Sequence, residues 1–299
     1  MNNHKIQWKI DEKFEGMLIR EILLKEKGIS KRALVDIKFY GGDILLNGSH
    51  VTVREILRAG DCLEVIFPPE IRSDGISGEN IPLHIVYEDE HILVINKPPY
   101  MASIPSREHQ SGTLANALIY YYDQIGLSST IHIVNRLDRD TSGLMIVAKN
   151  SFVHSLFALE QKKKSIKREY EAIVHGIVRE DVGIINAPIG RKAESIIERE
   201  VRNDGQHAVT HYEVKKRFSD QTLVSLKLET GRTHQIRVHM SYMGHPLLGD
   251  DLYGGQRDLI SRQALHSKRV KFYHPFMERE LAFSVPLPAD MGNLVSGVE

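Results

Sequence analysis

The chain has one cysteine and one tryptophan in 299 residues. The single thiol, Cys62, cannot form an internal disulfide, which fits a reducing cytoplasm. Cys62 lies in the apolar run Cys62-Leu63-Glu64-Val65-Ile66-Phe67 and reads as core filler rather than as a nucleophile. No run of about 18 apolar residues is present, so no membrane span is expected. The first nine residues, Met1-Asn2-Asn3-His4-Lys5-Ile6-Gln7-Trp8-Lys9, are too polar for a signal peptide. Neither sign of charge is in excess: 39 Lys and Arg stand against 39 Asp and Glu. No overall basic field advertises nucleic acid, so any such contact has to come from local patches.

Chemical signatures are missing too. There is no G-x-x-x-x-G-K-[ST] and no G-x-G-x-x-G after a strand, which excludes the common ATP and dinucleotide sites. G-x-S-x-G, the usual serine-hydrolase signal, is also absent. His234 and His239 are five apart, whereas helical metal ligands want spacings of three or four, and no H-E-x-x-H occurs. Neither a metal nor a cofactor is expected.

What is present divides into two parts. Residues 1–69 read as a small unit with a helix over Met17–Lys27 and a second over Lys31–Phe39, N-capped by Ser30. Asn47-Gly48 is a strong hairpin signal between Ile44-Leu45-Leu46 and Val51-Thr52-Val53. Lys31 and Lys38 share one helix face, with Arg32 beside them. Such a helix pair followed by small strands suggests an RNA-binding module. The commoner explanation of such charges is a solvated helix face. Residues 70–82 hold Ser73, Gly75, Ser77, Gly78 and Pro82 without apolar periodicity and read as a linker.

The larger part, 83–290, opens with strand-like Ile92–Asn96. A helix capped by Thr113 carries Leu114, Leu118 and Tyr121 on one stripe. Ser151 is read as the cap of another helix, followed by the basic run Lys162-Lys163-Lys164. Strands are expected at Arg168–Val178 and Leu223–Glu229, then a helix from Thr230 to Met243. Two more strand-like pieces fall between Leu265 and Pro288. Helices and strands mix without regular alternation, so the fold class is α+β with a mixed, largely antiparallel sheet.

The densest chemistry is Asn135-Arg136-Leu137-Asp138-Arg139-Asp140-Thr141-Ser142-Gly143. It sits between two short apolar runs, Ile131–Val134 and Leu144–Ala148, that read as buried strands. Charges held on a loop between core strands are how a scaffold presents reactive groups. Residue types alone favour a solvated hairpin tip with internal ion pairs. Leu137 is suited to bury and so to draw Asp138 towards the sheet edge. A carboxylate bonded by a guanidinium stays ionised and fixed, as a nucleophile must be. Arg232, at a helix start after another core strand, is a candidate to meet Asp138 across the fold, and a purely structural ion pair fits the same residues.

Several segments then match one family together. These are Tyr87–Pro98, Arg136–Leu144, Lys167–Tyr170, Thr230–His239, Gly244–Asp250 and Leu265-His266, in that order. The chain resembles the RluA-type RNA pseudouridine synthases, and residues up to 68 look more loosely like the alpha-L RNA-binding module often fused ahead of that domain. Asn135 stands where many relatives carry histidine. The resemblance implies Asp138 as nucleophile on a flipped-out uridine, with Arg136 filling the vacated space. It implies Tyr170 stacked on the base as the group that removes the C5 proton, Arg232 paired with Asp138, and Ile236 on the substrate side. Lys31, Arg32 and Lys38 would bind RNA. Structured RNA, ribosomal or transfer, is the implied partner, with no DNA, no membrane and no cofactor, in a cytoplasmic monomer. Two alternatives stay open. One is a non-catalytic RNA-binding or ribosome assembly factor of the same fold. The other is an aspartate-nucleophile glycosidase, which would need Asp140 in the same pocket as its acid.

Overall fold

The computed structural model describes residues 4–72, 75–106 and 110–296. Met1, Asn2, Asn3 and Ser73 lie outside them. The N-terminal unit is a four-stranded antiparallel sheet of β1 (Lys5–Lys9), β2 (Asp43–Leu46), β3 (Ser49–His50) and β4 (Cys62–Ile66), in the order β1-β4-β2-β3. Against it pack α1 (Ile19–Glu21), continued by a wide helical turn Ile22–Glu26, and α2 (Lys31–Phe39). Ser30 caps α2 as expected, its Oγ accepting from Ala33 N at 3.1 Å. Asn47 and Gly48 both take positive φ, 52° and 81°, the pair a tight hairpin turn requires.

One expectation fails here. The start of the chain, for which no element was expected, contributes β1, whose residue Ile6 is buried. Val51–Val53 is not a strand, because the chain turns away after Val51 N bonds Ile44 O at 3.0 Å.

The second unit is a ten-stranded sheet. Its strands are β5 (Ile85–Glu88), β6 (Ile92–Lys97), β7 (His132–Ile133), β8 (Ser142–Ala148), β9 (Lys167–His175), β10 (Val182–Asn186), β13 (Val209–Arg217), β14 (Gln221–Leu228), β15 (Leu265–His274) and β16 (Arg279–Ser284). A separate hairpin of β11 (Ile189–Arg191) and β12 (Arg199–Val201) stands off it. The path is β10-β13-β14-β9-β15-β8-β6-β5, with β16 on β15 and β7 on β8. Every pairing is antiparallel except β15 with β8. That single parallel join pairs His266 with Ser142 and Ser267 with Gly143. Gly143 is required there: its φ is +112°, and a Cβ would lie 2.3 Å from Ser267 O.

Four helices cover the sheet: α3 (Leu114–Gln124), α4 (Ser151–Lys162), α5 (Gln235–Tyr242) and α6 (Ala289–Ser296). All seven residues of β8 are buried, which is why its sequence is a continuous apolar run rather than an alternation. Met145 and Val147 face α3 and α5, while Leu144 and Ile146 face α4. Each fully buried Leu, Ile, Val or Phe contributes about 1.5–3 kcal/mol. Thr113 caps α3 in a capping box with Asn116. α4 is capped by Asn150 instead of Ser151, with Asn150 Oδ1 accepting from Val153 N at 2.8 Å. α5 begins five residues after the expected start, because Thr230–His234 forms an irregular entry. Strands β10 to β13 and helix α6 were not foreseen. Among the described residues no helix is long and apolar enough to cross a membrane.

The two units are packed together. Phe67 stacks on Phe152 of α4 with ring centroids 4.9 Å apart, and Leu156 and Phe276 join the N-terminal core. The segment expected to be a free linker is docked. Glu70 accepts hydrogen bonds from Thr130 N at 2.9 Å and Ser151 N at 2.7 Å, and pairs with His132 at 2.6 Å. Arg72 donates to the carbonyls of Leu127 and Ser129, both at 2.8 Å, and pairs with Asp123. Ile81 packs on the larger core.

Candidate active site

The loop from Asn135 to Thr141 enters β8 at the parallel join, and its backbone is held at every step. Ser103 Oγ donates to Leu137 O at 2.8 Å, and Thr141 N to Asp138 O at 3.1 Å. Lys97 Nζ donates to Arg139 O and Arg262 Nη1 to Asp140 O, each at 3.0 Å. Four consecutive carbonyls are thereby satisfied, so the loop is a rigid mount. Leu137 is buried beneath it, as expected. Asn135 Oδ1 accepts from Ile146 N at 2.8 Å, so this residue brackets the loop to β8. Arg136 projects outward and makes no hydrogen bond to the described residues.

Asp138 stands half-exposed in the middle of the mount. Its Oδ2 lies 3.3 Å from Arg237 Nη1 and 3.8 Å from His234 Nε2. The expected partner, Arg232, is not there. Its Nε donates to His207 O at 3.0 Å, its backbone N to Gln235 Oε1 at 3.0 Å, and the side chain is exposed on the cleft wall. The physical reason is the late start of α5, which leaves Arg232 on the irregular entry and swings Arg237 inward. Arg237 makes two 2.7 Å hydrogen bonds to the buried carboxylate of Asp250 and keeps one Nη for Asp138. Burial opposes its charge, but the Asp250 bonds and the two carboxylates outweigh that and hold its pKa above the usual value.

A pocket of 90 Å³ opens over Asp138, walled by Arg136, Tyr170, Ile236 and Arg237 among others. Tyr170 enters from β9, on the same face as Ala172 and Val174 as alternation requires. It is 4% exposed, yet its hydroxyl makes no hydrogen bond to the described residues. Ile236 forms part of the apolar lining. Asp140 does not line this pocket. Its Oδ1 lies 3.6 Å from Arg139, so the acid that a glycosidase would need is missing.

The pocket continues into a groove of 1180 Å³. Arg136, Arg139, Lys162, Lys164, Lys167, Arg168 and Arg232 line it against only Asp138 and Glu229. A chain of zero net charge therefore carries a local basic cleft. Lys31, Arg32 and Lys38 are exposed on α2 and do not line the pocket or the groove.

Beneath the mount lies Lys97, fully buried, donating to Pro98 O, Met101 O and Arg139 O at 2.8, 2.9 and 3.0 Å. Burial pulls its pKa down to about 7 against the attraction of Asp140 and Asp138. Arg262, also fully buried, ties Asp140 O to Asp290 at the start of α6. The sequence reading missed Lys97, His234, Arg237, Asp250 and Arg262. For Arg237 a signal existed: it stands between Ile236 and Val238, and a charge inside a buried helix has to be paired.

The RNA pseudouridylate synthase family model matches residues 91–242. The chain is 57% identical over 272 residues to the uncharacterized RNA pseudouridine synthase YjbO of Bacillus subtilis (strain 168), covering 91% of this chain and 96% of that protein. It is 40% identical over 269 residues to ribosomal large subunit pseudouridine synthase D of Pseudomonas aeruginosa, covering 85% and 83%. Among solved structures, human RNA pseudouridylate synthase domain containing 1 aligns with a TM-score of 0.59 at 25% identity, over 74% of this chain and 96% of that one.

Proposed function

The chain belongs to the RNA pseudouridylate synthase family and isomerises uridine to pseudouridine in RNA, and we propose that Asp138 is the nucleophile of that reaction. The observation that supports this most strongly is the carboxylate itself. It is mounted on four anchored carbonyls, tethered by Arg237, and open to a pocket walled by Tyr170 and Ile236. The non-catalytic alternative is set aside by the family match.

Asp138 lies at the floor of a recess too small for a duplex, so the uridine has to leave its stack to reach it. Arg136, exposed beside the pocket with no partner among the described residues, fills the space it vacates. Asp138 attacks the flipped nucleotide, at C1′ of the ribose or C6 of the base. The C1′–N1 bond breaks, the uracil turns and the C1′–C5 bond forms. C5 loses its proton and N1 gains one, so nothing else is consumed. Tyr170 stacks on the base and takes the C5 proton.

Ribosomal RNA is the substrate this reading favours, because synthase D relatives match along most of the chain. The basic groove holds its phosphates. Residues 1–69, with Lys31, Arg32 and Lys38, form a second RNA-binding unit joined through 70–82 to the catalytic unit 83–290. The protein works as a cytoplasmic monomer.

The test is pseudouridine mapping in total RNA from cells with the gene intact, deleted, or carrying Asp138→Asn. Sites lost in the deletion strain should stay absent with Asp138→Asn, and purified Asp138→Asn should bind the RNA within a few-fold of the parent. Restoration of the sites by Asp138→Asn would sink the assignment.

A further inference from the structure

His234 occupies an unusual position. It is the residue before α5 and has φ of 56°, a left-handed conformation that strains a non-glycine residue. Its side chain does not cap the helix. The ring is turned instead between Tyr253 and Asp138. Nδ1 lies 2.8 Å from the Tyr253 hydroxyl, and Nε2 lies 3.8 Å from Asp138 Oδ2.

The Tyr253 hydroxyl is able to donate in the first bond. Tyr253 Oη already accepts the backbone N–H of Arg199, at 3.0 Å. Its own single hydrogen needs an acceptor, and Nδ1 is the one within reach. With the Tyr253 hydrogen placed on it, Nδ1 is the acceptor and carries no proton. In a neutral imidazole the ring proton is then on Nε2, the nitrogen facing Asp138. Burial lowers the pKa of His234, Asp138 pulls the other way, and the Arg237 charge adds to the drop.

Both donors that face the carboxylate thus approach one oxygen. Arg237 Nη1 donates to Oδ2 at 3.3 Å, His234 Nε2 faces the same oxygen at 3.8 Å, beyond hydrogen-bond length, and no hydrogen bond from the described residues ends on Oδ1. We infer that Oδ1 is the attacking oxygen, and that His234, set by Tyr253, is a positioning residue that keeps the carboxylate turned that way. This rests on Asp138 being the nucleophile. A lone pair of Oδ1 forms the bond to the uridine carbon and recovers that pair when the bond breaks, so the carboxylate returns unchanged. Meanwhile the donors facing Oδ2 oppose rotation about the Cβ–Cγ bond.

Tyr253→Phe is the sharpest variant. It keeps the ring 4.9 Å from the Arg237 guanidinium and edge-on to His234, and removes only the hydroxyl. His234→Leu removes the Nε2 donor. His234→Gln places an amide N–H near the same point, and both substitutions share the same backbone strain. The probe is total RNA labelled with 5-tritiated uridine, from cells lacking the gene, with tritium release followed under single turnover. Tyr253→Phe and His234→Leu should slow release severalfold at saturation, with unchanged half-saturation. His234→Gln should recover most of the rate. Parent-like rates for Tyr253→Phe and His234→Leu would overturn the inference, as would Gln and Leu being equally slow or a rise in half-saturation alone. Asp138→Asn run alongside separates the cases. If it is active, the nucleophile assignment has failed; if it is inactive while the others match the parent, only the role of His234 has.

Discussion

Arg237 reaches Asp138 with one Nη at 3.3 Å while the rest of its guanidinium is held by Asp250. The tether is therefore fixed from behind, by a carboxylate that never meets solvent. Removing Arg237 leaves Asp250 as an unpaired buried charge, which costs about 3–5 kcal/mol. Arg237→Met should show that loss in chemical denaturation, together with loss of activity. Adding Asp250→Asn should restore part of the stability and none of the activity.

Arg232→Met should behave differently, because Arg232 is exposed on the cleft wall. Its effect on folding should stay within about 0.5 kcal/mol. RNA affinity should fall, and the slope of log K against log salt should shrink by about 1, the signature of one lost phosphate contact. An unchanged slope measured by filter binding would remove Arg232 from the RNA interface.

Tyr170→Phe removes a hydroxyl that has no protein partner among the described residues. Stability should change by less than about 1 kcal/mol, since no intramolecular hydrogen bond is lost. RNA affinity should hold, because stacking survives. Turnover should drop by about 10²–10⁴-fold if the hydroxyl takes the C5 proton. A parent-like rate in the tritium-release assay would hand that step to Asp138 or to water.

Lys97 makes a pH-dependent contribution of predictable sign. Its pKa is about 7 when folded, below the ordinary lysine value near 10.5. The unfolded chain thus holds the proton more tightly over that interval. The stability linked to Lys97 is present above the unfolded value and is lost as pH falls through about 7. Between pH 7 and 9 the parent should gain stability relative to Lys97→Met in parallel urea melts. A constant difference across that range would mean that the buried amine does not titrate there.

Removing residues 1–75 should not leave a clean catalytic unit. The cut uncovers Phe152, Leu156 and Phe276 and deletes Glu70, which bonds Thr130 N and Ser151 N. The fragment should melt earlier and self-associate, as exposed apolar patches do. Glu70→Ala in the full chain should cost about 1–3 kcal/mol through those orphaned groups. A truncated protein as stable and monodisperse as the parent in scanning calorimetry and gel filtration would contradict the docking.

The large features were legible because they depend on local pattern. The continuous apolar run of β8, the Thr113 cap and the Asn47-Gly48 turn each carry their cause in adjacent residues. The tether was not legible. Arg232 and Arg237 stand in one segment, and which one faces Asp138 depends on where α5 begins, which is decided by His207 and Gln235 folding the entry. Glu70 escaped for another reason. Its partners Thr130, His132 and Ser151 are 60 to 81 residues away, and a lack of apolar periodicity does not mean a lack of contacts. The weak edge hairpins from β10 to β12 are short and half-exposed, so they carry little pattern of either kind.

Helix α4 belongs to both units at once. Phe152 and Leu156 enter the N-terminal core, while Ala158, Gln161 and Lys162 form one wall of the groove, and Gln161 Nε2 donates to Val134 O at 2.7 Å just before the Asp138 loop. From Phe152 to Lys162 a helix advances about 15 Å. A single rod thus runs from the interior of the first unit to the wall of the groove. The spacing between that unit and the cleft is set by one helix rather than by a hinge, and an RNA lying along both would meet them at that one separation.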